Sequence, residues 1–187
     1  VNPDVLPKTG PDLVSYAENI AAYVTDHFTA NNVALPAARR IAPGQLSLDA
    51  WDCEQFSVGT GGIIDAAGGT GTTALRPRVG TPASVMTYRA VSYMIQIVRC
   101  AGSCTAAGYP SNEETDAAGR QMLVDMALLS QALVNVGSNP PDWAPKNVPV
   151  DVGPVAPLGP TGAFYAIEAS IAYSVEALLA LPDPVVL

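Results

Sequence analysis

Residues 87–100 alternate apolar and small or polar side chains for fourteen positions, and a period of two is the signature of a β-strand. Val91, Tyr93, Ile95 and Ile97 fall on one face. Tyr88, Ala90, Met94 and Val98, with Gln96 among them, fall on the other. At about 3.3 Å per residue the run spans roughly 46 Å, longer than the usual strand. Such a strand needs a partner and a helical layer to cover its apolar face. Residues 45–58 supply the partner. Leu46, Leu48 and Ala50 alternate with Gln45, Ser47 and Asp49, and Trp51, Cys53, Phe56 and Val58 follow. Their phase changes near 52–55, which predicts a bulge or two successive strands. Antiparallel pairing of the two runs makes the intervening 59–84 segment a protruding hairpin or loop, rich in Gly and carrying Pro77 and Pro82.

Two helices are legible. Pro11 suits a first helical turn. Leu13, Ala17, Ile20, Val24 and Phe28 repeat at steps of four and three, predicting a helix over 11–30 that leaves through Asn31-Asn32. Ser111 and Glu114 form a capping box, with Glu113 and Asp116 at the positive helix end. Thr115, Gly119, Met122, Met126, Leu129, Leu133 and Val136 then predict a helix over 112–136, stopped by Gly137. Residues 138–160 hold seven prolines and read as an extended linker with a short edge strand at 148–152. Residues 162–175 alternate again and are assigned to a strand, although their alanines also suit a helix. The expected fold is therefore a single α+β domain over 1–187. It has a mostly antiparallel sheet and two principal helices packed on one face. An irregular arm (1–10) and an apolar tail (179–187) flank it.

Composition narrows function. Charged residues are 14% of the chain, against about 25% in ordinary domains, which points to surface covered by other subunits. The net charge of -8 disfavours tight DNA binding, which needs a basic face to displace phosphate counterions. No apolar run is long enough for a transmembrane helix. The beginning lacks the basic-then-apolar pattern of a signal peptide, and synthesis in the cytosol is the default expectation.

The candidate chemistry is thin. His27 is the only histidine, which excludes multi-histidine metal sites and leaves one possible general base; its place late in the first helix suits the helix C-terminus. The glycines at 59–62 and 68–71 lack the Lys-Ser/Thr ending of a phosphate loop and read as a flexible tip. Asp49, Asp52 and Glu54 alternate as a solvated strand edge would, without calcium-loop spacing. Cys53, Cys100 and Cys104 are odd in number and form no CxxC pair, so free or buried thiols are expected over a disulfide framework. Pairing of the two long strands would nevertheless bring Cys53 and Cys100 together, and Cys100 with Cys104 would close a small loop. No catalytic, cofactor or metal residue is assigned. Trp51, Ile63, Ile64, Leu75, Arg76, Arg78 and Trp143 are the candidate contacts between subunits, since tryptophan is enriched at interfaces.

Two segments also carry a resemblance. Trp51-Asp52-Cys53-Glu54-Gln55-Phe56-Ser57-Val58, a long loop, and then Tyr93-Met94-Ile95-Gln96-Ile97-Val98-Arg99-Cys100-Ala101 resemble tail terminator proteins of siphophages, particularly those of actinobacterial hosts. In that group a D-C-E-Q-L-x-V strand precedes a V-x-I-x-R-C-x-P strand. An acidic-capped helix and a closing strand after a G-P-x-G turn follow, and Gly159-Pro160-Thr161-Gly162 stands at that turn here. The resemblance spans roughly residues 11–178. It departs at Ala101-Gly102, where a proline often follows, and in the long Gly-rich insertion. It implies a ring-forming virion subunit, typically hexameric and assembled in the host cytoplasm. Such a ring caps the tail tube protein, joins it to the head-tail connector or stopper, and lets DNA pass without specific binding. An acidic lumen suits that passage. Another neck component, a stopper or head-completion protein, is the alternative. A small-ligand or carbohydrate-binding module with Trp51, Tyr88 and Tyr93 as its platform is the rival from another class. An enzyme would need acid–base partners that the sequence does not supply.

Overall fold

A computed structural model describes residues 13–42, 54–65, 89–100, 111–144, 150–161 and 164–174. Helix α1 (Leu13–Ala30) buries Tyr16, Ala17, Ile20, Ala21, Val24 and Phe28 on one stripe, as the spacing predicts. Asn32 ends it in the left-handed region (φ 58°). The Val33 N–H returns to the Phe28 carbonyl and the Asn32 N–H to that of Thr29, which satisfies the last helical acceptors.

Strand β1 (Ala38–Ala42) follows, then β2 (Gln55–Asp65) and β3 (Arg89–Cys100). After α2 (Asn112–Ser138) come β4 (Val150–Val152), β5 (Ala156–Thr161) and β6 (Phe164–Ser174). The sheet order is β1-β2-β3-β6-β4, with β5 also pairing β6. Among the described strands only β1–β2 is a parallel pair. The α+β class and the mostly antiparallel sheet are as expected. The 162–175 ambiguity resolves to a strand because its alternating residues face their counterparts on β3: Tyr165 opposite Arg99, Ile167 opposite Ile97, Ile171 opposite Tyr93. Val91, Tyr93, Ile95 and Ile97 join Phe56, Val58, Ile167, Ile171, α1 and the later half of α2 in one core. The other sheet face is also out of solvent at Gln55, Ser57, Gln96, Val98 and Ala166.

Three expectations are corrected. First, the loop expected from residue 59 is strand as far as Asp65, so Ile63 and Ile64 pair with Val91 and Ala90 rather than standing in an arm. Its glycines serve a bulge. The register shifts between Thr60 and Gly62, and Gly62 sits at φ 109°, which a side chain would oppose. A Cβ on Gly61 would lie 3.2 Å from both Met94 Cγ and Ser92 Oγ. Second, the 138–160 linker contains β5 as well as the expected edge strand β4. Pro157 and Pro160 are tolerated because, among the described residues, β5 pairs on one side only, with β6. Within it, Gly159, Pro160 and Thr161 of the expected turn lie in the strand, and Gly162 lies outside the described residues. Third, α2 runs through Gly137 and stops at Asn139, whose N–H bonds the Asn135 carbonyl. The arm 1–10, the bulk of the 59–84 segment and the tail 179–187 lie outside the described residues.

Candidate functional site

Arg99 is the penultimate residue of β3, on its helix-facing side. It meets Asp125, the first buried residue of α2. Arg99 Nε donates to Asp125 Oδ2 at 2.5 Å and Nη2 to Asp125 Oδ1 at 3.1 Å, a bidentate fork. Asp125 also accepts from Gln121 Nε2 at 2.9 Å. Arg99 Nη2 reaches the Ala34 carbonyl at 2.7 Å, and Nη1 approaches Glu54 Oε2 at 3.5 Å. Glu54 Oε1 accepts from the Cys100 N–H at 3.2 Å. One guanidinium therefore ties together the start of β2, the end of β3, the α1–β1 connection and α2. Burial alone would lower the Arg99 pKa; the hydrogen bond to Asp125, then the charges of Asp125 and Glu54, reverse this and raise it.

Glu54 adopts φ 58° to reach Arg99, a left-handed conformation costing about 1 kcal/mol in a non-glycine residue. It lies within the 52–55 stretch where the sequence changes phase. As expected, it is a solvated carboxylate, its side chain 48% exposed, and it also bridges to Arg99. Asp49 and Asp52 lie outside the described residues. Cys100 beside it is disulfide-bonded, which corrects the expectation of free thiols. The other two cysteines, Cys53 and Cys104, lie outside the described residues.

A second cluster holds the beginning of α1 on the sheet. The Tyr16 ring stacks on Tyr93 at 6.5 Å and meets Trp143 edge-on at 6.4 Å and Tyr173 at 6.1 Å. Trp143 also packs edge-on to Tyr23 at 6.2 Å. Tyr93 Oη donates to the Leu13 carbonyl at 3.4 Å, whereas the buried hydroxyls of Tyr16 and Tyr173 have no hydrogen-bond partner. Burial raises the Tyr16 and Tyr173 pKa values, and for Tyr173 the neighbouring Tyr16 and Tyr93 add to it. Burial likewise raises Tyr165, which lies beside the Arg99–Asp125 pair.

These placements bear on the residues singled out in the sequence. Tyr93 is fully buried and cannot belong to a ligand platform; Trp51 and Tyr88 lie outside the described residues. Trp143, a candidate subunit contact, is half-buried within the chain against α1. Ile63 and Ile64 lie on the part of β2 beyond its pairing with β1. Leu75, Arg76 and Arg78 lie outside the described residues. His27 stands in the last turn of α1, as expected, with Nε2 buried and without a partner. Sequence reasoning missed Arg99, Asp125 and Gln121 as an interacting group. The one available signal was a lone Asp125 on the apolar stripe of α2.

Chemically, the Arg99 junction is committed to the chain's own groups, so it locks elements together instead of presenting a cation to a ligand. The exposed face of α2 is the more available surface: Leu123, Val124 and Val134 all stand in solvent there. Among the described residues no cluster of His, Cys, Asp or Glu could hold a metal, and no helix is long and apolar enough to cross a membrane. No protein-family model matches this chain, and no curated protein is similar to it.

Proposed function

We propose that this chain is a structural, non-catalytic subunit of a siphophage neck: a tail terminator that forms a ring, caps the tail tube and joins it to the head connector. One observation carries the reading. The two segments that resemble tail terminators are physically coupled, since Glu54 of the first bonds both Arg99 and the Cys100 N–H of the second. They form adjacent strands, with the closing strand β6 next in the sheet. The order of motifs along the chain thus corresponds to one contiguous three-strand unit. The charge of -8 suits a ring through which DNA slides without adhering. Residues Trp51, Ile63, Ile64, Leu75, Arg76 and Arg78 remain the proposed contacts with neighbouring subunits.

Native mass spectrometry with and without the cognate tail tube protein tests this. The expected species on the tube is a closed ring, six copies of the 19.3 kDa chain. A chain that stays monomeric under both conditions, and does not attach to tubes in electron micrographs, would refute the proposal.

A further inference from the structure

The inner stripe of α2 (Asp125, Leu129, Ala132, Leu133, Val136) is buried. On the opposite side Arg120, Leu123, Ala127, Ser130, Val134 and Gly137 all lie exposed, spaced by three and four residues along one line. Leu123 is 64% and Val134 55% exposed, large values for apolar side chains in a helix that already has a buried face. Residues 126–138 contain no charged side chain at all. A solvated helix face ordinarily carries charge. We infer that this outer face of α2 binds the same face of a second copy, with the two helices antiparallel about a two-fold axis.

Charge selects both the occupant and the orientation. Two copies of charge -8 repel overall, so contact between them is least opposed where acidic charge is absent, and 126–138 is such a surface. A parallel pair would bring the acidic first turns (Glu113, Glu114) side by side. An antiparallel pair sends them to opposite ends. With the axis between Ala127 and Ser130, Leu123 lies against the partner's Val134 and Ala127 against the partner's Ser130. Small side chains at the centre permit an interaxial distance of about 8 Å. Arg120 then lies over the partner's Gly137, at the C-terminal end of its helix. That end has no basic residue in its last turn, and Arg120 makes no ion pair among the described residues. Each copy thereby supplies the cation that the other's helix dipole lacks. The contact is isologous and uses up its own surface, so it neither needs nor supplies ring closure.

The stripe from Leu123 to Gly137 is about 21 Å long. One helix pair of that length falls at or below the roughly 1,000 Å² of a specific interface, so the dimer is weak and concentration-dependent. Sedimentation velocity of the full chain over a micromolar-to-millimolar series should show the mass rising from 19.3 kDa toward twice that value. Val134→Glu and Ala127→Glu, both at exposed positions, should weaken association about tenfold or more with unchanged circular dichroism. Arg120→Glu should weaken it by several-fold, while Arg120→Lys should not. Spin labels attached without cysteine chemistry fix the orientation. Labels at Ser130 should be close together, and labels at Glu113 should be separated by about 45 Å. A monomer throughout the series, an assembly insensitive to Val134→Glu and Ala127→Glu, or short distances at both label positions would each overturn the inference.

Discussion

Replacing Asp125 by Asn keeps the shape of the side chain and removes its charge. Asp125 is fully buried, and the Arg99 side chain is 13% exposed. The variant leaves a guanidinium in that setting with Glu54, at 3.5 Å and itself 48% exposed, as its one remaining counterion among the described residues. Removing one partner of a buried pair costs about 3–5 kcal/mol, most of it the penalty of the stranded charge. Arg99 retains some access to water and its bond to the Ala34 carbonyl, so the lower figure, about 3 kcal/mol, is expected. With a urea m-value of about 2 kcal/mol/M, the unfolding midpoint should fall by about 1.5 M. Urea titration followed by far-ultraviolet circular dichroism reads this directly. The double variant Arg99→Met/Asp125→Leu removes both charges and should recover most of the loss, since apolar replacement of a buried pair is often neutral. A midpoint shift for Asp125→Asn indistinguishable from zero, or a double variant as unstable as the single one, would refute the view that this pair locks sheet to helix.

Three further outcomes follow from the local geometry. Burial raises the pKa of Tyr16, Tyr165 and Tyr173, so their share of stability is intact below the ordinary phenol value of about 10 and is lost as pH rises beyond it. Alkaline titration of tyrosinate absorbance should show at least these three of the seven tyrosines ionising late, together with loss of circular dichroism; simple titration of all seven near 10 with the fold intact would contradict this. Ser111→Ala removes the acceptor of the Glu114 N–H and should cost about 1 kcal/mol, with faster hydrogen exchange confined to the first turn of α2. Gly153→Ala would place a Cβ 2.2 Å from Ser170 Oγ where the Gly153 N–H bonds the Ser170 carbonyl. It should cost about 1–2 kcal/mol in thermal unfolding, and Ser170→Ala in the same chain should restore it.

Much of the scaffold was readable because it is local. Val91 to Ile97 declare a strand by alternation, and Ser111 with Glu114 declares a helix start by spacing; neither needs knowledge of a distant residue. The phase change at 52–55 was also visible, and Glu54 is where the backbone turns left-handed. What escaped depends on distant partners. β1 offers only five residues, two of them exposed arginines, and becomes a strand because β2 lies beside it. β5 carries two prolines and is a strand because it needs bonds on one side alone. The Arg99–Asp125 pair joins residues 26 apart in sequence and Glu54–Arg99 residues 45 apart, so no spacing rule finds them. The Cys100 bond escaped for a related reason: an odd cysteine count speaks against a framework but not against a single pair.

Strand β6 is bonded to β3 along one edge and to both β4 and β5 along the other, yet it is synthesised after all of them. Until it arrives, β3 has one open edge, and Val91, Tyr93, Ile95 and Ile97 lack their partners Tyr173, Ile171, Ala169 and Ile167. Closing the sheet therefore waits on contacts more than 70 residues apart in the chain, such as Gln96 with Glu168. Long-range closure of this kind is slow and leaves an aggregation-prone edge meanwhile. The same order makes β6 a checkpoint, because a chain cut short before residue 164 contains both helical segments but lacks the strand that completes its sheet.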